Sequence, residues 1–259
     1  MAEPGVSHEL MPLDRDTLPR AHRRPEVNSQ RSLPLVDIWY ANLAVPPRHL
    51  HELSGCLNAE EHARAARFHF ERDRARFIAA RGTLRTVLAR YLDTSPDLVH
   101  FRFGAQGKPM LPDPDLHFNV SHADDQLVVG ISHHGGLGID IERVPPVHVV
   151  DSVSSLVFSS PECRTLEPLS TTERSELFAL FWTRKEAYIK AEGGGMSIDL
   201  KSLDVATVPG RVLQRTTGSD QWLCSPSWTL RSLPVRRGFA GTLAVPGGWQ
   251  LSWNELTRH

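Results

Sequence analysis

A chain of 259 residues and 29.0 kDa can bury one large core or two ordinary ones without disulfide staples. Its formal net charge of -1 argues against a globally basic nucleic-acid binder, and no apolar run approaches the roughly 20 residues that span a bilayer, so neither nucleic acid nor membrane is an expected partner. The basic residues are lopsided, 25 Arg against 4 Lys, and three of those lysines, Lys108, Lys185 and Lys190, fall in the most patterned segments.

Residues 1–32 are rich in Pro, Arg, Ser and Asp with little apolar periodicity, and read as a flexible leader without a secretory pattern. Leu33, Leu35, Asp37 and Trp39 alternate with Val36, Ile38 and Tyr40, which predicts a strand covered on both faces. Over 60–92 the spacing of Ala65, Phe68, Phe77, Ile78, Leu84 and Leu88 predicts one long helix. Residues 98–103 read as a short strand, 104–109 as a turn, and 116–122 as a strand with Leu116, Phe118 and Val120 on one face. Two further strands, 127–132 and 137–144, are joined by His133, His134, Gly135 and Gly136. A second long helix is predicted over 173–192, stopped by Gly193, Gly194 and Gly195, because glycine accepts the positive φ of a helix C-cap. The runs 200–208, 227–235, 238–245 and 249–256 read as strands of a closing sheet.

Two successive units of long helix plus short antiparallel strands predict an α+β fold of two similar α/β lobes, 33–134 and 135–259, without a clean sequence repeat. Cys56, Cys163 and Cys224 are odd in number and far apart, matching neither a disulfide framework nor a zinc pattern, so a reducing cytoplasm is expected.

Three segments carry chemistry. In Gly138-Ile139-Asp140-Ile141-Glu142 the two acids sit two apart on a strand, so their carboxylates share a face on the order of 5 to 7 Å apart and suit Mg²⁺; a solvated acidic strand face is the plainer alternative. Around Trp182-Thr183-Arg184-Lys185-Glu186-Ala187, Glu186 and Lys190 are helical neighbours four apart. Alone they could be a surface ion pair, but their apolar setting fits a third metal ligand and a phosphate-facing cation. Gly107-Lys108-Pro109 sets a lysine on a fixed turn, and Phe118-Asn119-Val120-Ser121-His122 ends in a histidine able to donate to phosphate; an ordinary turn and a surface histidine remain the alternative. The arginine series from Arg64 to Arg90 is interleaved with Glu and Asp and reads mostly as a solvated helix face.

In this order and spacing the motifs resemble the 4'-phosphopantetheinyl transferases, in particular their surfactin-type monomeric class, over roughly residues 35–210. The resemblance implies a pseudo-dimer of two α/β lobes, nucleotide contacts in the first and metal and catalytic residues in the second, with coenzyme A in the inter-lobe cleft. It implies transfer of the 4'-phosphopantetheine arm of coenzyme A to a serine of an apo carrier protein, giving 3',5'-ADP. Asp140, Glu142 and Glu186 would hold Mg²⁺, Glu186 or a water would take the serine proton, and Asp140, Glu186 and Lys190 would carry catalysis. Lys108, Pro109, Ser121, His122, Lys190, Arg76 and Arg81, with Arg64 and Arg67, would contact coenzyme A, although Glu61 stands where related sequences can carry a base. A non-catalytic coenzyme A-binding module and a Mg²⁺-dependent diphosphate hydrolase are the alternatives. Lys185 is given no role, and Lys201 reads as a surface residue.

Overall fold

The computed structural model describes residues 35–104, 107–193, 198–216, 221–225 and 227–256. The expected leader, Leu33, and the Gly194 and Gly195 part of the helix stop lie outside them. The described chain is α+β. In the first half β1 (Leu35–Asn42), α1 (Pro47–Gly55), α2 (Ala59–Ala65) and α3 (Glu71–Leu92) precede β2 (Arg102–Phe103), β3 (Pro109–Met110), β4 (His117–Ala123) and β5 (Gln126–Ser132). Next come β6 (Gly138–Arg143), α4 (Val147–Val157), α5 (Ser160–Leu166) and α6 (Thr171–Glu192). The chain finishes with β7 (Leu203–Asp204), β8 (Leu213–Arg215), β9 (Trp222–Cys224), β10 (Thr229–Ser232), β11 (Phe239–Val245) and β12 (Gln250–Glu255).

Two sheets frame the molecule, one in the order β12-β1-β5-β4 and one in the order β10-β11-β6. Helix α3 covers the first over a core that includes Leu84, Val87, Leu88, Phe118 and Val129. Helix α6 covers the second with Phe178, Phe181, Ala187 and Tyr188. A third core joins the sheets, with Val36, Ile38 and Val128 against Ile139, Ile141 and Leu243, all at most 1% exposed. Each such aliphatic side chain contributes ~1.5–3 kcal/mol by leaving water. The final strand does not stay with the second half: β12 pairs in parallel with β1, from Leu35 opposite Gln250 to Tyr40 opposite Glu255.

The helix expected over 60–92 is two helices. A reciprocal capping box between Asn58 and Glu61 opens α2, which already ends at Ala65, and Phe70 takes extended backbone before α3 begins. The reason is electrostatic. Arg85 Nε donates to Glu61 Oε2 at 2.7 Å in a buried pair, whereas residues 24 apart on one straight helix would stand about 36 Å from each other. The same guanidinium takes the carbonyls of Pro96 and Val99 at 3.0 and 2.8 Å. That bends 96–98 into a 3₁₀ turn and leaves two residues of the expected 98–103 strand, β2, paired with β3. Over 200–208 strand is limited to β7, because Asp204 Oδ1 accepts from Ala206 N and Thr207 N, both at 2.9 Å, and turns the chain. Helices α1, α4 and α5 are not among the expected elements, although Ser159 and Glu162 form a capping box that announces α5.

A candidate active site between two strands and a helix

Strands β4 and β6 belong to different sheets yet run side by side, stitched by side chains. Asn119 Oδ1 accepts from Ile139 N at 2.9 Å and Ser121 Oγ from Ile141 N at 3.3 Å, so the two polar residues bracket Asp140. Helix α6 lies directly on β6 because Gly138 has no side chain: a Cβ there would come within 1.9 Å of the Ala187 carbonyl oxygen and 2.5 Å of Ala191 N. Gly193 at φ 73 ends the helix with its N–H on Ile189 O, as its expected role as a stop requires.

This close approach sets Lys190 against Asp140. Lys190 Nζ donates to Asp140 Oδ1 at 2.6 Å and to Ser121 Oγ at 3.2 Å, while Ser121 Oγ donates to Asp140 Oδ1 at 2.9 Å. Lys108 Nζ, from the turn before β3, donates to the Lys190 carbonyl at 2.6 Å. Burial raises the Asp140 pKa, opposed by Lys190, Ser121 and the Ile141 backbone. Burial, and then the charge of Asp140, also raise Glu142 and Glu186; the Trp182 indole, hydrogen-bonded to Glu142, works in the opposite direction there. Burial followed by the charge of Lys190 lowers Lys108.

Lys108, Pro109, Asn119, Glu186, Ile189 and Lys190 line a cleft of about 530 Å³, so charged groups from both halves of the chain meet apolar walls. Asp140 is 2% exposed, with Ser121 and Lys190 hydrogen-bonded to it. His122 is exposed near the end of β4, on the face it shares with Phe118 and Val120, and desolvation and then the charges of Lys190 and Arg76 lower its pKa. Arg76 holds Asp125 Oδ1 at 2.7 Å. Arg64, Arg67 and Arg81 lie elsewhere, lining a second pocket of about 560 Å³ with Glu61, Phe68 and Phe103, and Arg81 Nε sits 3.2 Å from Glu61 Oε1. Three contributors stand in the motifs but carry no role in the sequence reading: Asn119, Gly138 and Lys185. The alternation of Asn119 with Ser121 on one strand face was the available signal for the first.

The acids suit a hard cation by donor type, since all their ligating atoms are carboxylate oxygens. Among the described residues no three His, Cys, Asp or Glu side chains are gathered as a ready cage. The telling atom is Asp140 Oδ2, which is buried and lacks a hydrogen-bond partner. A buried acceptor left in this way is costly unless a further positive group shares it. One carboxylate and two ammonium groups on an open cleft, with Asp140 against Lys190 beside them, can grip an anionic diphosphate beside a cation, which is the chemistry of metal-assisted phosphoryl transfer.

The chain belongs to the 4'-phosphopantetheinyl transferase family. Residues 46–135 match the model of the 4'-phosphopantetheinyl transferase N-terminal region, and 136–242 that of the 4'-phosphopantetheinyl transferase superfamily. The chain is 33% identical over 220 residues to the 4'-phosphopantetheinyl transferase HetI of Nostoc sp., an alignment spanning 83% of this chain and 90% of that protein. It is 38% identical over 144 residues to the putative 4'-phosphopantetheinyl transferase slr0495 of Synechocystis sp., covering 54% of this chain and 58% of the relative. To the transferase Sfp of Bacillus subtilis it is 30% identical over 150 residues, covering 58% of this chain and 66% of Sfp. Among the described residues no helix is long and apolar enough to cross a membrane.

Proposed function

We propose that this chain moves the 4'-phosphopantetheine arm of coenzyme A onto a serine hydroxyl of an apo carrier protein and releases 3',5'-ADP. The observation that carries the reading is the joint placement of Glu186, Lys190 and Lys108 on one cleft, with Asp140 held against Lys190. We read the two sheet-and-helix units as two lobes divided near 134 and 135, with β12 crossing back to the first, and coenzyme A as bound between them. We read the chain as a monomer in the cytoplasm, three widely spaced cysteines suiting a reducing compartment.

Asp140, Glu142 and Glu186 would hold Mg²⁺, which supplies charge neutralisation at the coenzyme A diphosphate when bound. Glu186, or a water at the metal, is the candidate base, because Mg²⁺ on the Glu186 carboxylate would lower that group's proton affinity. That base would accept the carrier serine proton as the hydroxyl oxygen attacks the β-phosphorus and the bond from that phosphorus to the bridging oxygen breaks, the oxygen leaving with 3',5'-ADP. Lys190 lies one helical turn from Glu186 and offers an ammonium to the charge that accumulates on the phosphate oxygens. Lys108, Pro109, Ser121, His122 and Arg76 are read as contacts for the nucleotide end, with Arg64, Arg67 and Arg81 reaching it from the second pocket. The Ile198 and Leu200 side of the cleft offers an apolar wall to the pantetheine arm.

The experiment is to mix the chain with coenzyme A, Mg²⁺ and an apo carrier protein and follow the carrier by mass spectrometry. The expected result is a carrier heavier by one phosphopantetheinyl group, with 3',5'-ADP appearing in equal amount. Coenzyme A binding without carrier modification favours the non-catalytic binding module, and cleavage without a modified carrier favours the hydrolase.

A further inference from the structure

The residue left without a role by its sequence, Lys185, sits on α6 one position before Glu186 and is fully buried, as is its partner Glu162. Its ammonium lies 2.6 Å from Glu162 Oε2 and donates to the carbonyls of Leu200, Leu203 and Val157 at 2.7, 3.0 and 3.1 Å. Four acceptors therefore surround three N–H groups, and the Phe158 ring stands 5.2 Å away. Glu162 is equally saturated: Oε2 accepts from Ser159 N at 2.7 Å and Oε1 from Val205 N at 3.0 Å. One ion pair in this way ties α6 to the end of α4, the start of α5 and the turn entering β7.

One of those attachments and the helix neighbour of Lys185 bear on the cleft. Leu200, whose carbonyl Lys185 holds, lines the cleft wall, and Glu186, the next residue of the helix, lines it from α6. A rotation of α6 about its axis large enough to move Glu186 would pull Lys185 off three carbonyls on different segments.

We propose that Lys185, paired with Glu162, is a positioning residue: it fixes the rotation of α6 and the Leu200 wall together, so that Glu186 and Lys190 face the bound substrate in one arrangement. Neither partner touches the reacting atoms. The kinetic consequence rests on the transfer reaction proposed above, and misplacement of a catalytic group by about 1 Å is enough to cost roughly 10²-fold in rate.

The test uses the full chain and three variants, Glu162→Gln, Lys185→Met and the two combined. The combined variant removes both charges, and replacing a buried pair as a unit is commonly tolerated where removing one partner is not. Coenzyme A affinity and stoichiometry are measured by calorimetry, and carrier modification by mass spectrometry as kcat per coenzyme A-binding site. In the combined variant the expected result is full binding stoichiometry, with the urea midpoint lowered because three carbonyls lose their donor. Its kcat per site falls tenfold or more with KM for coenzyme A moved less than threefold, and amide exchange accelerates in 198–203 and the second half of α6. A purely structural role lowers the stoichiometry and leaves kcat per site alone, which overturns the proposal. Should both Lys185 variants fail to fold, Glu162→Gln decides: a tenfold loss per site supports positioning and a wild-type value overturns it. Failure of the wild-type chain to modify any carrier refutes the transfer reading alone, because the exchange comparison then judges the positional claim by itself.

Discussion

Helix α6 carries two ammonium–carboxylate pairs of the same length on different faces. Lys185–Glu162 and Lys190–Asp140 both close at 2.6 Å. The first is 0% exposed at both ends, and every oxygen of Glu162 has a partner. In the second, Lys190 is 29% exposed at the cleft and Asp140 Oδ2 is buried without a partner. Burial pulls the Lys185 ammonium down while Glu162 pushes it up, and burial pushes Asp140 up while Lys190 pulls it down. Both pairs thus offset desolvation by charge, but one is complete and the other still has an acceptor to offer. A saturated pair holds position, whereas an unsaturated one at a cleft is where chemistry is to be sought.

The comparison depends on α6 lying against β6, so the most disruptive change is at the contact itself. In Gly138→Ala the new Cβ meets backbone atoms of Ala187 and Ala191, which cannot swing aside as a side chain can. Overpacking of this kind costs typically about 1–3 kcal/mol and more where backbone must move. The urea midpoint should fall sharply and carrier modification with it; a variant of wild-type stability would break the account of how the two faces of α6 are set.

Next in size is Asp140→Ala, which removes the orphaned oxygen and the anchor of Lys190. Transfer should drop roughly 10²–10³-fold, the range seen when one preorganised charge-stabilising group is lost. Stability should not follow, since burial already disfavours the Asp140 carboxylate and the exposed side of Lys190 can turn to water. A thermal midpoint at or above wild type, beside the lost transfer, is the expected pairing. Loss of both together would put Asp140 in the same class as Glu162. Lys190→Arg is milder: a planar fork replaces a compact ammonium that reaches both Asp140 Oδ1 and Ser121 Oγ. The expected fall in kcat is about tenfold, equivalent to ~1.4 kcal/mol, and an unchanged kcat would remove Lys190 from the phosphate.

The residues around the cleft were legible one element at a time, Asp140 and Glu142 two apart on a strand and Glu186 and Lys190 four apart on a helix, but the pairing of Lys190 with Asp140, 50 residues away, was not. Lys185 was not legible, since its partner Glu162 lies 23 residues upstream on another helix and a lysine in an amphipathic pattern reads as exposed. The break between α2 and α3 was hidden in the same way, behind the buried Arg85–Glu61 pair, and so was β12, whose alternation is that of a strand but whose partner β1 is at the other end of the chain. Periodicity finds what a segment can form. Long-range charge pairing decides where it bends and what it meets.

The two arginines of α3 assigned by resemblance to the nucleotide end extend the same contrast and give the smallest expected effects. Arg81 is 13% exposed beside a 10% exposed Glu61, which it shares with Arg85, and its guanidinium lies 5.2 Å from the Phe101 ring centroid. Arg76 is 28% exposed on an Asp125 that is 40% exposed. Arg81→Ala should lower the urea midpoint more than it weakens coenzyme A binding, because it strips one of two cations from a nearly buried carboxylate. Arg76→Ala should do the reverse. An exposed pair contributes ~0.2–1 kcal/mol to folding, while a lost phosphate contact of ~1 kcal/mol raises Kd about fivefold. Calorimetry with coenzyme A and urea titration on the two variants separate the assignments. Equal binding losses with unequal stabilities would make both arginines ligands, and an Arg76→Ala variant that binds coenzyme A as wild type would leave Arg76 as Asp125's partner alone.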